Sequence, residues 1–218
     1  MKHPSGINQA IVDKVAARRG RLHAFESINS TKTALVVIDL DIRTVSRMYD
    51  DVATDTSNTL ERINVLAETV RGRGGMVVWV VTSTKPSDNF RALLGEKTAQ
   101  VYEVESASGE AMKVSPELVV QGRDMHIIKQ DYSAFFPGKS DLHEQLQKHD
   151  IDTVLIAGTV TNVCCESAAR DAYELGYKVI MVSDTLRGHS HGLHEAALAT
   201  IFRNFGDVRP SEEVISLL

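Results

Sequence analysis

The sequence predicts an α/β domain of three layers, with a mostly parallel six-stranded sheet between two layers of helices. Three observations carry that expectation. Runs such as Thr33-Ala34-Leu35-Val36-Val37-Ile38 are unbroken, apolar and rich in β-branched residues, the pattern of a strand covered on both faces. Between such runs, residues like Leu60, Ile63, Ala67 and Val70 recur at helical intervals. Strand and helix then alternate along the core, and a helix that crosses between two strands returns the chain in parallel. The chain has 218 residues, 43% of them hydrophobic and 24% charged. That is enough for one sizeable core, and no linker composition divides it.

Residues 1–32 are polar and broken by Pro4, Gly6 and Gly20. Ile7, Ala10, Ile11, Lys14 and Val15 allow a short helix, and Arg18, Arg19 and Arg21 form a basic run. This stretch reads as an N-terminal arm before a domain of residues 33–218, its arginines a solvated face or an oligomer contact. The first strand, Thr33 to Asp39, ends in a carboxylate, and an irregular stretch follows it. Thr54 to Arg73 is a helix stopped by Gly74-Gly75, and Met76 to Val81 is a second buried strand. Residues 83–122, with Pro86 and Pro116, form a long insertion with a short helix near Asn89 to Leu94. In an open α/β sheet such an insertion lies at the carboxyl ends of the strands and roofs a site. Met125 to Lys129 is a short strand ending in a cation. A helix from Asp141 to Lys148 leads to a strand over 153–157, then a helix from Asn162 to Leu175 and a strand from Lys178 to Val182. A helix from Leu193 to Phe205 and a short strand from Asp207 to Arg209 follow.

Composition narrows the function. A net charge of −5 lacks the clustered basic footprint of a nucleic-acid binder. The two cysteines, Cys164 and Cys165, are adjacent and cannot staple distant segments, and no long apolar span or signal segment is present. A reducing, cytoplasmic setting without a membrane is expected, with a small molecule as partner.

The turn from Gly158 to Cys165 carries the chemical signal. An apolar strand stops at Gly158, crosses Thr161 and Asn162, and turns helical, so a cysteine opens a helix. Unpaired N–H groups and the helix dipole there favour a thiolate, the nucleophilic form of sulfur. By its position alone, a single cysteine reads better as a small buried hydrophobe. Asp39, Lys129 and Cys164, however, all stand at carboxyl ends of predicted strands, which converge on one crevice in such a sheet. Lys129 would stabilise a thiolate there, and Asp39 would move a proton between sulfur and a leaving amine.

These elements resemble the isochorismatase-like cysteine hydrolases, a superfamily that includes nicotinamidases, N-carbamoylsarcosine amidases and ureidoacrylate amidohydrolases. The matching stretches are Ala34 to Asp39, Lys129 with Tyr132-Ser133-Ala134-Phe135, Gly158 to Cys164, Ser167 to Ala172, and Val182-Ser183-Asp184. The stretches Arg18 to His23 and Phe205 to Val208 are also similar to the ureidoacrylate branch. The resemblance implies a Rossmann-like fold and an Asp39, Lys129, Cys164 triad, since the family nucleophile lies three residues after the turn threonine, here Thr161. It implies an oxyanion hole of the Val160 and Cys164 N–H groups and a cis peptide before Val160. The implied activity is hydrolysis of an amide, carbamoyl or ureido C–N bond in a small molecule through a thioester, without metal or cofactor. It also implies a homo-oligomer, dimer or tetramer. Cys165, about 100° further around the helix, is expected to face packing.

Departures from the family pattern concern the substrate. Many members continue the first strand as Asp-Met-Gln-Asn-Asp-Phe, where this chain has Asp39-Leu40-Asp41-Ile42-Arg43-Thr44. In an extended chain Asp41 would face the same side as Asp39 and raise its proton affinity, with Arg43 offsetting the charge. Asp41 and Arg43 are therefore candidate substrate contacts, and Phe135, from the matching Tyr132-Ser133-Ala134-Phe135 stretch, is a third. The altered segment also suggests an alternative, a non-catalytic member that binds a ligand or partner subunit. The Asp-x-His motif of nicotinamidases has no counterpart in Trp79 to Lys85. His189, His191 and His194 lack partners at metal-ligand spacing and read as polar surface or loop residues. Gly158-Thr159-Val160 is no dinucleotide fingerprint.

Overall fold

A computed structural model describes residues 5–50, 56–83, 86–107, 109 and 112–218. Pro4, the start of the helix predicted from Thr54, and Thr84 and Lys85 lie outside these residues. The strands are β1 (Thr33–Ile38), β2 (Met76–Thr82), β3 (Met125–Lys129), β4 (Thr153–Thr159), β5 (Lys178–Arg187) and β6 (Asp207–Arg209). They form one sheet in the order β3-β2-β1-β4-β5-β6, and each of its strand pairings is parallel. Helices α1 (Gln9–Arg19), α2 (Ile42–Asp50), α3 (Thr56–Gly72), α4 (Asp88–Leu94) and α5 (Glu96–Ala107) precede β3 or flank the first strands. Helices α6 (Leu142–Lys148), α7 (Glu166–Glu174), α8 (His191–Asn204) and α9 (Ser211–Leu217) belong to the second half.

Alternation along each strand sends neighbouring side chains to opposite faces, and both faces are covered. Val36, Ile38, Val154 and Ile156 pack with Leu146 of α6, Ala168 of α7, and Leu198 and Phe202 of α8. Leu35, Val37, Leu155 and Ala157 pack with Ile63, Leu66 and Val70 of α3 and Val214 of α9. β1 and β4 are buried along their whole length, as their apolar sequences require. The strand order reverses between these two central strands, so the chain leaves them in opposite directions and opens a crevice at their carboxyl ends.

Several elements differ from the sequence reading. The N-terminal stretch is docked rather than a free arm: Ile7, Val12 and Val15 are buried in the core. Its arginines cap α8, with the guanidinium of Arg18 donating to the Arg203 carbonyl and that of Arg19 to the Phe202 carbonyl. The last carbonyls of a helix lack intrahelical partners, and the arginines supply them. β5 continues five residues past Val182, because a register shift between Ile156 and Gly158 lets Leu186 and Arg187 pair with Gly158 and Thr159. The predicted helix from Asn162 divides into a π-helical turn, Thr161–Cys165, and α7. Among the described residues no helix is long and apolar enough to cross a membrane.

Candidate active site

The site begins with a close approach of two backbones. Gly158 has φ +109°, and a Cβ there would lie 2.1 Å from the Ile38 carbonyl oxygen. Only glycine lets β4 run this near to β1 in that conformation. Beyond Ile38 the chain turns sharply at Asp39, a non-glycine residue in the left-handed region with φ 53°. Such residues are uncommon and concentrate where surrounding structure holds them for function. Here the Asp39 N–H donates to the Val80 carbonyl at 2.9 Å, and Thr82 Oγ1 donates to Asp39 Oδ1 at 2.7 Å.

The three strand-end groups meet. Lys129, only 1% exposed, places Nζ 2.9 Å from Asp39 Oδ2 and 3.6 Å from Cys164 Sγ. Its ammonium also donates to the Asp131 carbonyl at 2.9 Å, so its three protons have three acceptors. Burial alone would lower the lysine pKa, but the Asp39 carboxylate, with the Cys164 sulfur beside it as a further acceptor, outweighs it and holds the ammonium protonated. The thiol behaves otherwise than the sequence suggested. Burial, reinforced by the Asp39 carboxylate and only partly opposed by Lys129, pushes the Cys164 pKa up to about 12. Cys164 lies in the π-helical turn ahead of α7, beside a carboxylate, so the expected thiolate bias is overridden. Cys165 is fully buried among core residues, on the packing side of the turn.

Val160 follows a cis peptide bond from Thr159. Its carbonyl accepts from the N–H groups of Val163 and Cys165, closing the turn around Cys164. Thr161, at the start of the turn, has no exposed surface, and its Oγ1 shares a hydrogen bond of 2.9 Å with His194 Nδ1.

A cavity of about 460 Å³ opens on these groups. Asp39, Lys129, Val160 and Cys164 form its floor. Phe90, Leu94 and Tyr102 from α4 and α5, within the 83–122 insertion, line it as well. Tyr132, Arg187 and His189 are among the other lining residues.

The three candidate substrate contacts stand differently in the structure. Asp41 lines the cavity but does not act on Asp39 by strand alternation, because the left-handed Asp39 breaks the extended path. Asp41 is instead the N-terminal cap of α2: Oδ1 accepts from the Arg43 and Thr44 N–H groups at 2.9 and 3.1 Å, and Oδ2 from Thr44 Oγ1. Arg43 lines the cavity too, yet its guanidinium is committed to Asp41 at 3.2 Å and to Glu105 of α5 at 2.6 Å. Phe135 is 2% exposed, sits in the core with its ring 5.6 Å from that of Tyr177, and is not among the residues that wall the cavity. The loop turns it inward, and Tyr132 presents the aromatic face instead.

The sequence reading also passed over residues. Thr82 pairs in register with Lys129 and stands at a strand end, the same signal that marked Asp39 and Lys129. The three histidines do not act alike: His189 faces the cavity, His191 is exposed, and His194 holds Thr161.

Comparison with known proteins follows the same lines. The isochorismatase domain model matches residues 33–213. The isochorismatase family protein YwoC of Bacillus subtilis strain 168 is 31% identical over 189 residues, covering 87% of this chain and 95% of its own length. Nicotinamidase 3 of Arabidopsis thaliana is 27% identical over 177 residues, covering 81% of this chain and 84% of its own. The crystal structure of a cysteine hydrolase from Pseudomonas syringae pv. phaseolicola 1448A superposes with a TM-score of 0.79 at 27% identity, covering 89% of this chain and 96% of that one.

Proposed function

Because the chain belongs to the isochorismatase family, we propose that it is a cysteine-dependent hydrolase. In this reading it cleaves an amide, carbamoyl or ureido C–N bond of a small molecule through a thioester on Cys164. The observation that carries this reading is the contact of one buried ammonium, Lys129 Nζ, with both Asp39 Oδ2 and Cys164 Sγ at the floor of the cavity. Names among its relatives, a nicotinamidase and a cysteine hydrolase, support C–N cleavage by sulfur.

The chemistry follows from the protonation states. A thiol with a pKa of about 12 holds no standing thiolate at neutral pH, so its proton must leave as the sulfur attacks. Asp39 takes that proton as general base while Sγ bonds to the carbonyl carbon. The Lys129 ammonium offsets the negative charge passing through the site and remains protonated. The N–H groups of Val160 and Cys164 are the proposed donors to the oxyanion. Asp39 then gives its proton to the nitrogen, the C–N bond breaks, and ammonia or an amine departs. Water deprotonated by Asp39 attacks the thioester, and the carboxylic or carbamic acid leaves as Cys164 regains its proton.

The alternative of a binding-only protein drew on the altered segment after Asp39. Capping of α2 by Asp41 gives that alteration a structural reason, so it no longer favours the alternative. The test is ammonia release from a panel of primary amides, carbamoyl amines and ureido acids, with mass spectrometry of the intact protein. Turnover is expected with an acyl adduct on Cys164, and Cys164→Ser should lower the rate roughly 10³-fold or more. No ammonia and no adduct across the panel would remove the reading.

A further inference from the structure

We infer that His194 is a positioning residue for the nucleophile: from the first turn of α8 it holds Thr161, and through Thr161 the turn that carries Cys164. This rests on the reading of Cys164 as nucleophile and adds a residue to it.

The turn Thr161–Cys165 is held from two sides. On the inside, the Val160 carbonyl gathers the N–H groups of Val163 and Cys165. On the outside, the Thr161 hydroxyl meets His194 Nδ1 at 2.9 Å, away from the cavity. Thr161 is wholly buried, so a hydroxyl left unmatched there carries a desolvation cost. His194 is itself well fixed. Its N–H donates to the Ser190 carbonyl at 3.0 Å, and a Cβ on Gly188 would lie only 3.1 Å from the His194 Cβ. The backbone just after β5 thus runs close to the His194 Cβ on α8. Burial lowers the His194 pKa, so the ring is neutral at pH 7 and shares one proton with the hydroxyl. β4, β5 and α8 then form a frame in which the ring fixes the start of the turn. Cys164, three residues on, must keep its sulfur near Lys129 Nζ, now 3.6 Å away. Displacements of about 1 Å at a reacting atom cost up to about 10² in rate, so one anchor outside the cavity has leverage on the chemistry.

Isosteres distinguish this role from general packing. An asparagine amide reaches the position of Nδ1, whereas a glutamine amide reaches that of Nε2. His194→Gln and Thr161→Val are each expected to lower kcat roughly tenfold with KM unchanged. His194→Asn should keep kcat within about twofold of the wild type, and the double variant should lose no more than either single one. The rate of iodoacetamide alkylation of Cys164, followed by mass spectrometry, should separate the variants in the same way: altered in His194→Gln and Thr161→Val, unchanged in His194→Asn. Thermal melts check that each variant is folded. Equal losses in His194→Asn and His194→Gln, wild-type rates in His194→Gln, or additive losses in the double variant would overturn the inference. If the wild type cleaves no amide, the hydrolase reading fails, and the alkylation contrast still decides this one.

Discussion

At the scale of single residues, the site is an arrangement of charge around a neutral sulfur. Lys129 is buried, yet it stays an ammonium because a carboxylate, a sulfur and a carbonyl take its three protons. Cys164 gains little from it, since burial and Asp39 act against ionisation more strongly than Lys129 acts for it. Asp39 therefore has two opposed effects, raising the thiol pKa at rest and accepting its proton during attack. Asp39→Asn should separate them. Without the carboxylate the thiol pKa falls from about 12, and Cys164 should react faster with iodoacetamide at pH 8 than in the wild type. Amide turnover should fall by roughly 10²–10⁴ for want of the base. Mass spectrometry of the Cys164 peptide over time measures the first and ammonia release the second. Slower alkylation in Asp39→Asn would contradict this account of the site.

At the scale of elements, what was legible in the sequence followed from local pattern. The runs Thr33 to Ile38 and Thr153 to Ile156 announce buried strands, and the groups at strand ends could be paired before any distance was known. What escaped depends on partners remote in sequence. The strand read from Lys178 stops at Val182 in the sequence, where polar residues begin, yet β5 runs on through Arg187, where β4 shifts register beside it. Asp41 caps a helix that its own surroundings did not announce, and α5 brings Glu105 to Arg43 from 62 positions away. His194 was visible only as one of three nearby histidines. Gly158 carries the opposite lesson, since a single glycine at a strand end hides how close two backbones come. Gly158→Ala would drive Cβ to 2.1 Å from the Ile38 carbonyl oxygen at φ +109°, parting β1 from β4. A loss of about 3 kcal/mol or more, or failure to fold, is expected. Gly138→Ala is the control: it also has a positive φ, +76°, but meets nothing within 4 Å, and should cost only about 1–2 kcal/mol. Equal urea midpoints for the two variants would refute the close-approach argument.

At the scale of the whole molecule, the sheet is closed at one edge by a charge cluster that joins the first segment of the chain to the last strand. The Asp207 carboxylate on β6 is fully buried. It accepts from His23 Nδ1 at 3.1 Å, the Ala24 N–H at 3.1 Å, its neighbour Val208 N–H at 3.0 Å and Arg209 Nε at 3.3 Å. Burial by itself would raise its pKa, but the hydrogen bond and charge of His23, with Arg209 and the Val208 N–H, outweigh it and bring the pKa below the ordinary 3.8. A carboxylate whose folded pKa is depressed contributes stability that is fully present above its unfolded pKa. That contribution is lost as pH falls from about 4 through the lower folded value, because the unfolded chain then takes up the proton first. Asp207→Asn removes the charge while leaving the shape, and its amide nitrogen is set against donors. The variant should be less stable than the wild type by about 1–3 kcal/mol at pH 7. The gap should narrow at pH 3, where the wild type is losing the same contribution. Urea unfolding of both proteins at the two pH values measures this, with the slopes compared to check that the unfolded states match. A gap that stayed constant from pH 7 to pH 3 would mean that the Asp207 charge does not tie the N-terminal segment to β6.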